Sequence, residues 1–126
     1  MKERLLETYR EISEHLNGEL IPFWEKNGVD PVFGGYLTTF DEKVKEEEDK
    51  YIVTQTRMIW GYSAFARKLG RKEFLPKAKQ GVEFFIRHFW DQKYGGWYWK
   101  TARDGSLLDN GKVVYGQTFA IYALAE

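Results

Sequence analysis

The chain has 126 residues, of which 43% are hydrophobic and 30% are charged, a composition typical of a single soluble globular domain. Nineteen basic side chains balance nineteen acidic ones, so we expect neither nucleic acid nor an anionic membrane as a partner. Because the chain has no cysteine and two histidines, His15 and His88, we also expect no disulfide, no metal site and no cysteine nucleophile.

Neither a targeting signal nor a membrane span is recognisable in the sequence. The N-terminus, MKERLLETYREI, lacks the continuous apolar run of a signal peptide. No stretch reaches the ~18 consecutive apolar residues that indicate a membrane helix. We therefore expect a cytoplasmic protein that does not associate with membranes.

Four helices are predicted, and they are of two kinds. The first, over residues 3–26, and the third, over residues 72–90, carry an apolar stripe opposite a charged face and are therefore amphipathic. Pro22 removes a backbone donor and is expected to kink or reshape the last turns of the first helix. The second, over residues 51–69, and the fourth, over residues 115–126, are apolar or small almost all the way round, which is typical of helices covered on every side.

The linkers before the second and fourth helices repeat one pattern, because DPVFGGY at residues 30–36 matches DQKYGGW at residues 91–97. Each glycine pair permits a tight turn with positive φ before a short extended stretch, YLTTF or WYWKT. The second stretch leads into Asp104-Gly105, a typical hairpin turn, whereas the first leads into EKVKEEEDK, which we predict to be a solvated loop. The glycine pairs lack the pattern of a phosphate-binding loop, so no nucleotide cofactor is expected.

The chain thus contains two copies of one unit, in which an amphipathic helix, a glycine turn with a short hairpin and an apolar helix follow one another. Units of this kind stack side by side because one unit cannot cover its own apolar face. Amphipathic helices outside and apolar helices inside predict an all-α toroid of helical hairpins. Two hairpins cannot close such a ring, and the fourth helix runs to the last residue without a cap. We therefore expect the chain to be part of a larger domain.

Arg57 is the first candidate for a functional side chain, because it lies in the largely apolar segment VTQTRMIWGYSAF. Its neighbours on the helical surface are uncharged, so no local carboxylate can pair with it. Either it pairs with a distant carboxylate such as Asp41 or Asp109, or it lines a polar cavity and donates to ligand oxygens. The predicted central pit of a toroid favours the second interpretation.

Tyr115 opens the fourth helix, and the 61-residue repeat aligns it with Thr54, about one turn (~5.4 Å) before the level of Arg57. Because both apolar helices follow a glycine-turn linker, we expect Tyr115 and Arg57 at the same mouth of the pit. The alternative is a boundary tyrosine with its hydroxyl in water. Gln117, in the same helix, either supports a ligand or bonds a neighbouring helix end.

Other chemistry is less well supported by the sequence. Glycosidic hydrolysis would require a pair of carboxylates. The spacing of the candidate aspartates identifies neither an acid nor a nucleophile, and turn chemistry already explains three of them. These aspartates are Asp30, Asp41, Asp91, Asp104 and Asp109. Aromatic side chains could stack on sugar rings, although core packing is the favoured use for Trp60, Trp97, Tyr98 and Trp99. Both histidines lie on the amphipathic helices, where we expect surface positions.

Four segments in order resemble the N-acylglucosamine 2-epimerase superfamily, which includes cellobiose 2-epimerases, mannose isomerases and sulfoquinovose-type isomerases. They are GGYLTTFD, TQTRMIWGYSAFARKLG, DQKYGGWYWKTARDGSLLD and KVVYGQTFAIYALAE. The resemblance extends from ELIPFW to the last residue. It implies an (α/α)6 barrel, of which residues 1–126 would be the N-terminal part of a single domain with about two helical hairpins and short β-hairpin linkers.

The resemblance also implies a reaction, which is proton transfer at C2 of a reducing mono- or disaccharide through a cis-enediolate, without a cofactor. The arginine of the Q-x-R-x-x-W segment, here Arg57, would contact the sugar near its reactive carbon. The tyrosine of the Y-x-Q-x-F-A-I-Y segment, here Tyr115, would line the site. Histidines on later inner helices would act as acid and base. Neither His15 nor His88 matches them, so we expect the isolated chain to be inactive.

Two further interpretations stay open. An (α/α)6 glycoside hydrolase or lyase of unsaturated uronides would share the toroid, and it would require Asp41 or Asp109 in the pit. A non-catalytic, sugar-binding fragment could instead self-assemble, because three copies of two hairpins would supply the six hairpins of a ring.

Overall fold

The computed structural model describes residues 1–39 and 47–126. Most of the structured chain in these ranges is helical. The helices are α1 (Lys2–His15), α2 (Ile21–Asn27), α3 (Ile52–Lys68), α4 (Leu75–Phe89) and α5 (Val114–Ala125). Three short strands, β1 (Lys50–Tyr51), β2 (Lys100–Thr101) and β3 (Leu107–Asp109), complete the regular structure. No helix in the described ranges is both long enough and apolar enough to cross a membrane.

The first predicted helix is continuous but changes its winding. A π-helical turn, Leu16–Leu20, joins α1 to α2, and Pro22 lies in the first turn of α2. A proline inside a helix removes one backbone donor and its ring crowds the preceding turn, and the wider π turn before Pro22 makes room for that ring. The expected disturbance near Pro22 is therefore confirmed as a π turn.

The other three predicted helices are confirmed to within one residue at each end, with a 3₁₀ turn, Lys72–Phe74, opening the third. Helix α3 is the centre of the structure and packs against both α4 and α5. The predicted stripe of α4 faces inward, since Phe85 and Phe89 are fully buried. Burial of such rings supplies the apolar area that holds the three helices together.

The glycine turns adopt the predicted backbone, and they open two similar linkers. Gly34 and Gly35 have φ of 81° and 69°, and Gly95 and Gly96 have φ of 71° and 81°, values that a residue with a Cβ rarely adopts. Asp104-Gly105 forms the predicted turn between β2 and β3. Its geometry is fixed by the backbone N–H of Ser106, which donates to Oδ1 of Asp104 at 2.8 Å.

The sequence predicted two separate linkers, whereas the structure joins them in one antiparallel sheet of order β1-β2-β3. Lys50 pairs with Thr101, and Tyr51 pairs with Lys100. The first half of the predicted loop EKVKEEEDK lies outside the described residues. Its second half is not solvated as predicted, because Glu48 and Lys50 are buried. Glu48 accepts the backbone N–H of Thr38 at 2.6 Å, so a tertiary partner overrides the polar composition.

Two helices expose apolar side chains. Helix α1 buries no residue, and the predicted stripe residues Leu5, Tyr9 and Ile12 are exposed. The prediction that the fourth helix is covered on every side is wrong for this chain, since Ile121 and Tyr122 of α5 are exposed. The face of α5 that carries Ala120 and Ala123 is buried, whereas the side that carries Ile121 remains open.

Candidate functional site

A cavity of about 690 Å³ opens along the groove between α3 and α5. From α3 it is lined by Arg57, Trp60 and Gly61, and from α5 by Thr118, Phe119 and Tyr122. The wall is aromatic, and among the described residues Arg57 is the one charged residue that lines it. A pocket that combines apolar surface with a few polar groups is the usual form of a small-molecule site.

Arg57 projects into this cavity from α3. Its guanidinium carbon lies 5.0 Å from the centroid of the Phe119 ring, a cation–π distance, and the residue is exposed. Within the described ranges no carboxylate pairs with Arg57. Asp109 instead accepts the backbone N–H of Gly111 at 2.8 Å, and Asp41 lies outside the described residues. The guanidinium donors of Arg57 are therefore available to a ligand in this part of the chain.

Tyr115 lies at the entrance of the same groove, one helical turn before Phe119. Its ring packs edge-on against the Phe119 ring with 4.8 Å between centroids, and the residue is 55% exposed. Phe119 thus contacts both Arg57 and Tyr115, the two sequence-predicted residues. Tyr115 does not itself line the cavity between Arg57 and Tyr122.

The opposite end of the cavity is formed by two stacked rings that sequence reasoning did not pair. Trp60 and Tyr122 lie 5.4 Å apart between centroids at an interplanar angle of 17°. Lys68 caps this stack, with its Nζ 5.4 Å from the centroid of the Trp60 ring. By contrast, Trp97 has the predicted core role and stacks on Phe85 at 4.4 Å. Trp60 is half-buried and keeps one side toward the cavity.

Phe119 and Tyr122 were missed because α5 is apolar on all sides and gives no periodic signal. A corrected alignment of the repeats would have helped. Gln55 and Gln117 make equivalent contacts but are one residue further apart than the two glycine turns, so the linker between turn and helix is one residue longer in the second unit. Tyr115 therefore corresponds to Val53 rather than to Thr54 as predicted, and Phe119 corresponds to Arg57.

The two glutamines fix the start of α3 and α5 to the linker that precedes each helix. The side-chain amide of Gln55 donates to the carbonyl of Tyr36 at 2.9 Å and accepts its N–H at 2.9 Å. Gln117 does the same for Trp97, at 2.7 Å and 2.8 Å. Gln117 thus bonds its own linker, which was neither of the two predicted roles. These bonds hold the helix ends that carry Arg57 and Tyr115.

A buried ion cluster holds the first glycine turn. Lys50 Nζ lies 2.9 Å from Oδ2 of Asp30, and both side chains are 0% exposed. Arg103 adds two hydrogen bonds to the same carboxylate, from Nε at 2.9 Å and Nη2 at 3.1 Å. Burial alone would raise the pKa of Asp30, but the hydrogen bonds from Arg103 and Lys50 outweigh it and lower the pKa to about 2.

The second glycine turn has a related pair. Lys112 Nζ lies 2.6 Å from Oδ2 of Asp91, and Oδ1 of Asp91 accepts the backbone N–H groups of Lys93 and Tyr94. The hydrogen bond from Lys112 is the main cause that lowers the pKa of Asp91 to about 2. The predicted turn role of Asp91 is confirmed, as it is for Asp30 and Asp104.

Neither histidine reaches the cavity. His15 is exposed and lies 3.2 Å from Glu19 on the same helix. His88 is half-buried, with its ring 4.5 Å from that of Phe84, and burial lowers its pKa. In the described ranges no cluster of three or more histidine, aspartate or glutamate side chains could hold a metal ion.

Two helical units thus enclose a groove lined by one arginine and several aromatic rings. The chain belongs to the N-acylglucosamine 2-epimerase family. The family model, described as N-acylglucosamine 2-epimerase (GlcNAc 2-epimerase), matches residues 34–126. The match includes both Arg57 and Tyr115.

Curated relatives agree with this family. The chain is 35% identical over 119 residues to a cellobiose 2-epimerase of Bacteroides fragilis, and the alignment covers 93% of this chain and 30% of the relative. It is 37% identical to a cellobiose 2-epimerase of Dictyoglomus turgidum, with 92% of this chain and 30% of the relative covered. The N-acylglucosamine 2-epimerase of Homo sapiens is 28% identical, with 99% and 31% covered. The chain thus spans about 30% of the length of these relatives.

Solved structures show the same fold. The cellobiose 2-epimerase from Spirochaeta thermophila superposes with a TM-score of 0.89 at 27% identity, covering 98% of this chain and 31% of that chain. The cellobiose 2-epimerase from Bacillus thermoamylovorans gives a TM-score of 0.81 at 32% identity, with 91% and 30% covered. The predicted family is therefore confirmed, and the mostly helical fold with a small sheet is shared with these structures.

Proposed function

We propose that this chain is the N-terminal part of an (α/α)6-barrel enzyme that epimerises or isomerises a free reducing sugar at C2. The observation that carries the proposal is Arg57, which has no carboxylate partner in the described ranges and faces an aromatic cavity on the inner groove. Membership of the N-acylglucosamine 2-epimerase family supports the reaction class. In such a barrel, α3 and α5 would be neighbouring inner helices and residues 1–126 would supply about two hairpins.

Arg57 would serve the step in which charge develops. When a base removes the proton from C2, the electron pair moves toward the carbonyl oxygen and a cis-enediolate forms. A guanidinium near O1 or O2 stabilises that negative charge because its donors are fixed in a planar fork. Return of a proton to the opposite face of C2 gives the epimer, and delivery to C1 gives the ketose. The ring of Phe119 supports the guanidinium from below.

The other cavity residues would position the sugar. Tyr115, at the groove entrance, presents a hydroxyl that can bond a sugar hydroxyl. The stacked pair of Trp60 and Tyr122 offers an apolar wall for the C–H face of a pyranose ring. Proton transfer itself needs groups of near-neutral pKa, and His15 and His88 lie away from the cavity. We therefore assign the acid and base to residues outside this chain.

The experiment has two readouts on the purified 126-residue chain. Incubation with mannose, glucose, cellobiose or N-acetylglucosamine in heavy water, followed by ¹H NMR, should show no loss of the H2 signal. Saturation-transfer difference NMR should show weak binding of one or more of these sugars. Arg57→Ala should abolish the transfer signal, and Arg87→Ala, an exposed arginine on the outward side of α4, should leave it unchanged.

Each outcome is informative. Exchange at C2 by the pure chain would show that a complete acid–base set lies within it, which contradicts our assignment of those groups. Binding that survives Arg57→Ala would remove Arg57 from the sugar site. Absence of binding to the folded wild-type chain, at sugar concentrations of tens of millimolar that detect weak ligands, would refute the cavity as a sugar site.

A second candidate is a non-catalytic ring of three copies, favoured by the exposed apolar faces of α1 and α5. Light scattering at several concentrations tests it, since a stable trimer would support it and a monomer would refute it. The glycoside hydrolase or lyase alternative gains nothing from the cavity, because Asp109 is committed to Gly111 and lies outside the lining.

A further inference from the structure

The two glycine turns carry the same charged core, although local sequence alignment hides it. Lys50 precedes Gln55 by the same number of residues as Lys112 precedes Gln117. Each lysine bonds Oδ2 of the aspartate that opens its turn, Asp30 in the first unit and Asp91 in the second unit. The aspartate, the lysine and the glutamine therefore recur as one structural set.

The first set has a third member that the second unit supplies. Arg103, from the β2–β3 hairpin, bonds both carboxylate oxygens of Asp30. Its guanidinium also lies 5.7 Å from the centroid of the Phe33 ring. Arg103 thus combines a bidentate ion pair with an aromatic contact, which is the arrangement that guanidinium groups favour. Together these contacts shield the charged groups of the first turn from solvent, since the side chains of Asp30 and Lys50 are 0% exposed.

The second set lacks such a member in the described chain. Lys112 is the one cation within salt-bridge distance of Asp91 in these ranges, and its side chain is 32% exposed while that of Asp91 is 7% exposed, compared with 0% for both partners in the first set. The residue equivalent to Phe33 is Tyr94, which is 75% exposed. A cavity of about 420 Å³ lies beside them, and Leu107 and Asn110 line its far side. We name Asp91, Tyr94 and this cavity the second-turn surface.

We propose that the second-turn surface is a docking site for an arginine carried by the β-hairpin of a further helical unit, in the manner of Arg103 on Asp30. The partner must present a guanidinium and not a carboxylate. A second copy of this chain does not supply that arginine, because its Arg103 is already bonded to its own Asp30 and the residue 61 positions earlier in the sequence is Glu42. The occupant is therefore a hairpin from a different unit with an arginine at that position. This inference rests on the internal repeat and is independent of the proposed sugar chemistry.

Two local groups compete with an incoming guanidinium. The ammonium of Lys93 lies 4.7 Å from the centroid of the Tyr94 ring, over which the guanidinium would stack. The phenol of Tyr98 faces Asp91, and its pKa is raised by burial and by the Asp91 charge. Lys93 is exposed and strongly hydrated, so a planar guanidinium should displace it from the ring. Removal of Lys93 should accordingly strengthen binding.

Arginine amide is a suitable probe, and ¹H–¹⁵N spectra of the labelled chain provide the readout. We expect saturable shifts of the amide signals of Lys93, Tyr94 and Gly95, with a dissociation constant on the order of 1–10 mM for so small a ligand. Lysine amide should bind at least several-fold more weakly. Asp91→Asn keeps the oxygen that accepts the turn N–H groups, and it should weaken arginine amide roughly tenfold.

Three further variants sharpen the test. Tyr94→Ala should weaken binding several-fold, and Lys93→Ala should tighten it. Asp104→Asn, which changes a turn carboxylate that does not line this cavity, should have no effect. Shifts that do not saturate, equal responses to arginine and lysine amides, or weaker binding by Lys93→Ala would overturn the proposal. If the backbone amide signals of Lys93, Tyr94 and Gly95 shift when the protein concentration alone is raised, the surface is an interface between two copies of this chain. That result would also overturn the proposal. Sugar binding need not change in any of these variants.

Discussion

Replacement of Lys50 by methionine tests whether a buried ion cluster holds the first glycine turn. Both Lys50 and Asp30 are 0% exposed at the side chain, and removal of one partner of such a pair costs roughly 3–5 kcal/mol. Arg103 would still bond Asp30, so the charge left behind is not wholly unpaired. We therefore expect a loss near the lower limit, about 3 kcal/mol in the free energy of unfolding.

The assay is urea unfolding followed by tryptophan fluorescence. With a slope of about 1.5 kcal/mol per molar urea for a chain of this size, the midpoint should fall by about 2 M. Lys112→Met is the matched control, because it removes the equivalent ammonium from the more exposed second turn. Its effect should be at most about a third as large, since exposed pairs contribute little. Equal losses in the two variants would refute the argument that burial makes the first pair costly to break.

Three other predictions follow from single contacts. Gly81→Ala should lower the free energy of unfolding, measured in urea, by about 1–3 kcal/mol, because a Cβ there would overlap the buried phenol of Tyr36. Gly61→Ala is the control: its Cβ would meet no atom within 4 Å, so it should be neutral or stabilising by up to ~1 kcal/mol. Gln55→Leu should lower the free energy of unfolding by roughly 2–4 kcal/mol, because it leaves the buried N–H and carbonyl of Tyr36 without hydrogen-bond partners. Hydrogen exchange of the Tyr36 amide should therefore accelerate, and an unchanged exchange rate would contradict this prediction. Acid should destabilise the chain through Asp30. The pKa of Asp30 in the folded chain, about 2, lies below its ordinary value of 3.8, so this contribution of about 2.5 kcal/mol is present above pH 3.8 and is lost as the pH falls through about 2. Asp30→Asn should lose less stability over that pH window.

Local features of the fold could be predicted from the sequence. The stripe of α4 and the glycine turns at Gly34 and Gly95 depend on residues close together in the chain, and both are confirmed. Lys50 was misread because its charged neighbours in EKVKEEEDK indicate solvent, whereas its partner Asp30 is 20 residues away in sequence. The pairing of β1 with β2 likewise depends on two linkers that local patterns treat separately.

The candidate site likewise contains some residues that the sequence singles out and others that it does not. Arg57 could be singled out because a charge within an apolar helix is a local anomaly. Phe119 and Tyr122 could not, because an all-apolar helix does not indicate which side faces a groove. Their roles depend on the packing of α3 against α5, which is a contact between distant segments. The roles of Arg57 and Tyr115 toward a sugar stay predictions until binding is measured.

The position of Arg103 has a consequence for how such units can be added or removed. The arginine belongs to the second unit but completes the turn of the first, and β2 likewise pairs with β1 across the boundary. Neither unit is therefore an independent module that could be cut out without leaving the other unfinished. An array built by this rule has a direction, because the aspartate turn of each unit is completed by an arginine from its successor. A duplicated gene segment would have to insert whole, and in order, for the chain to keep a single cooperative unfolding transition.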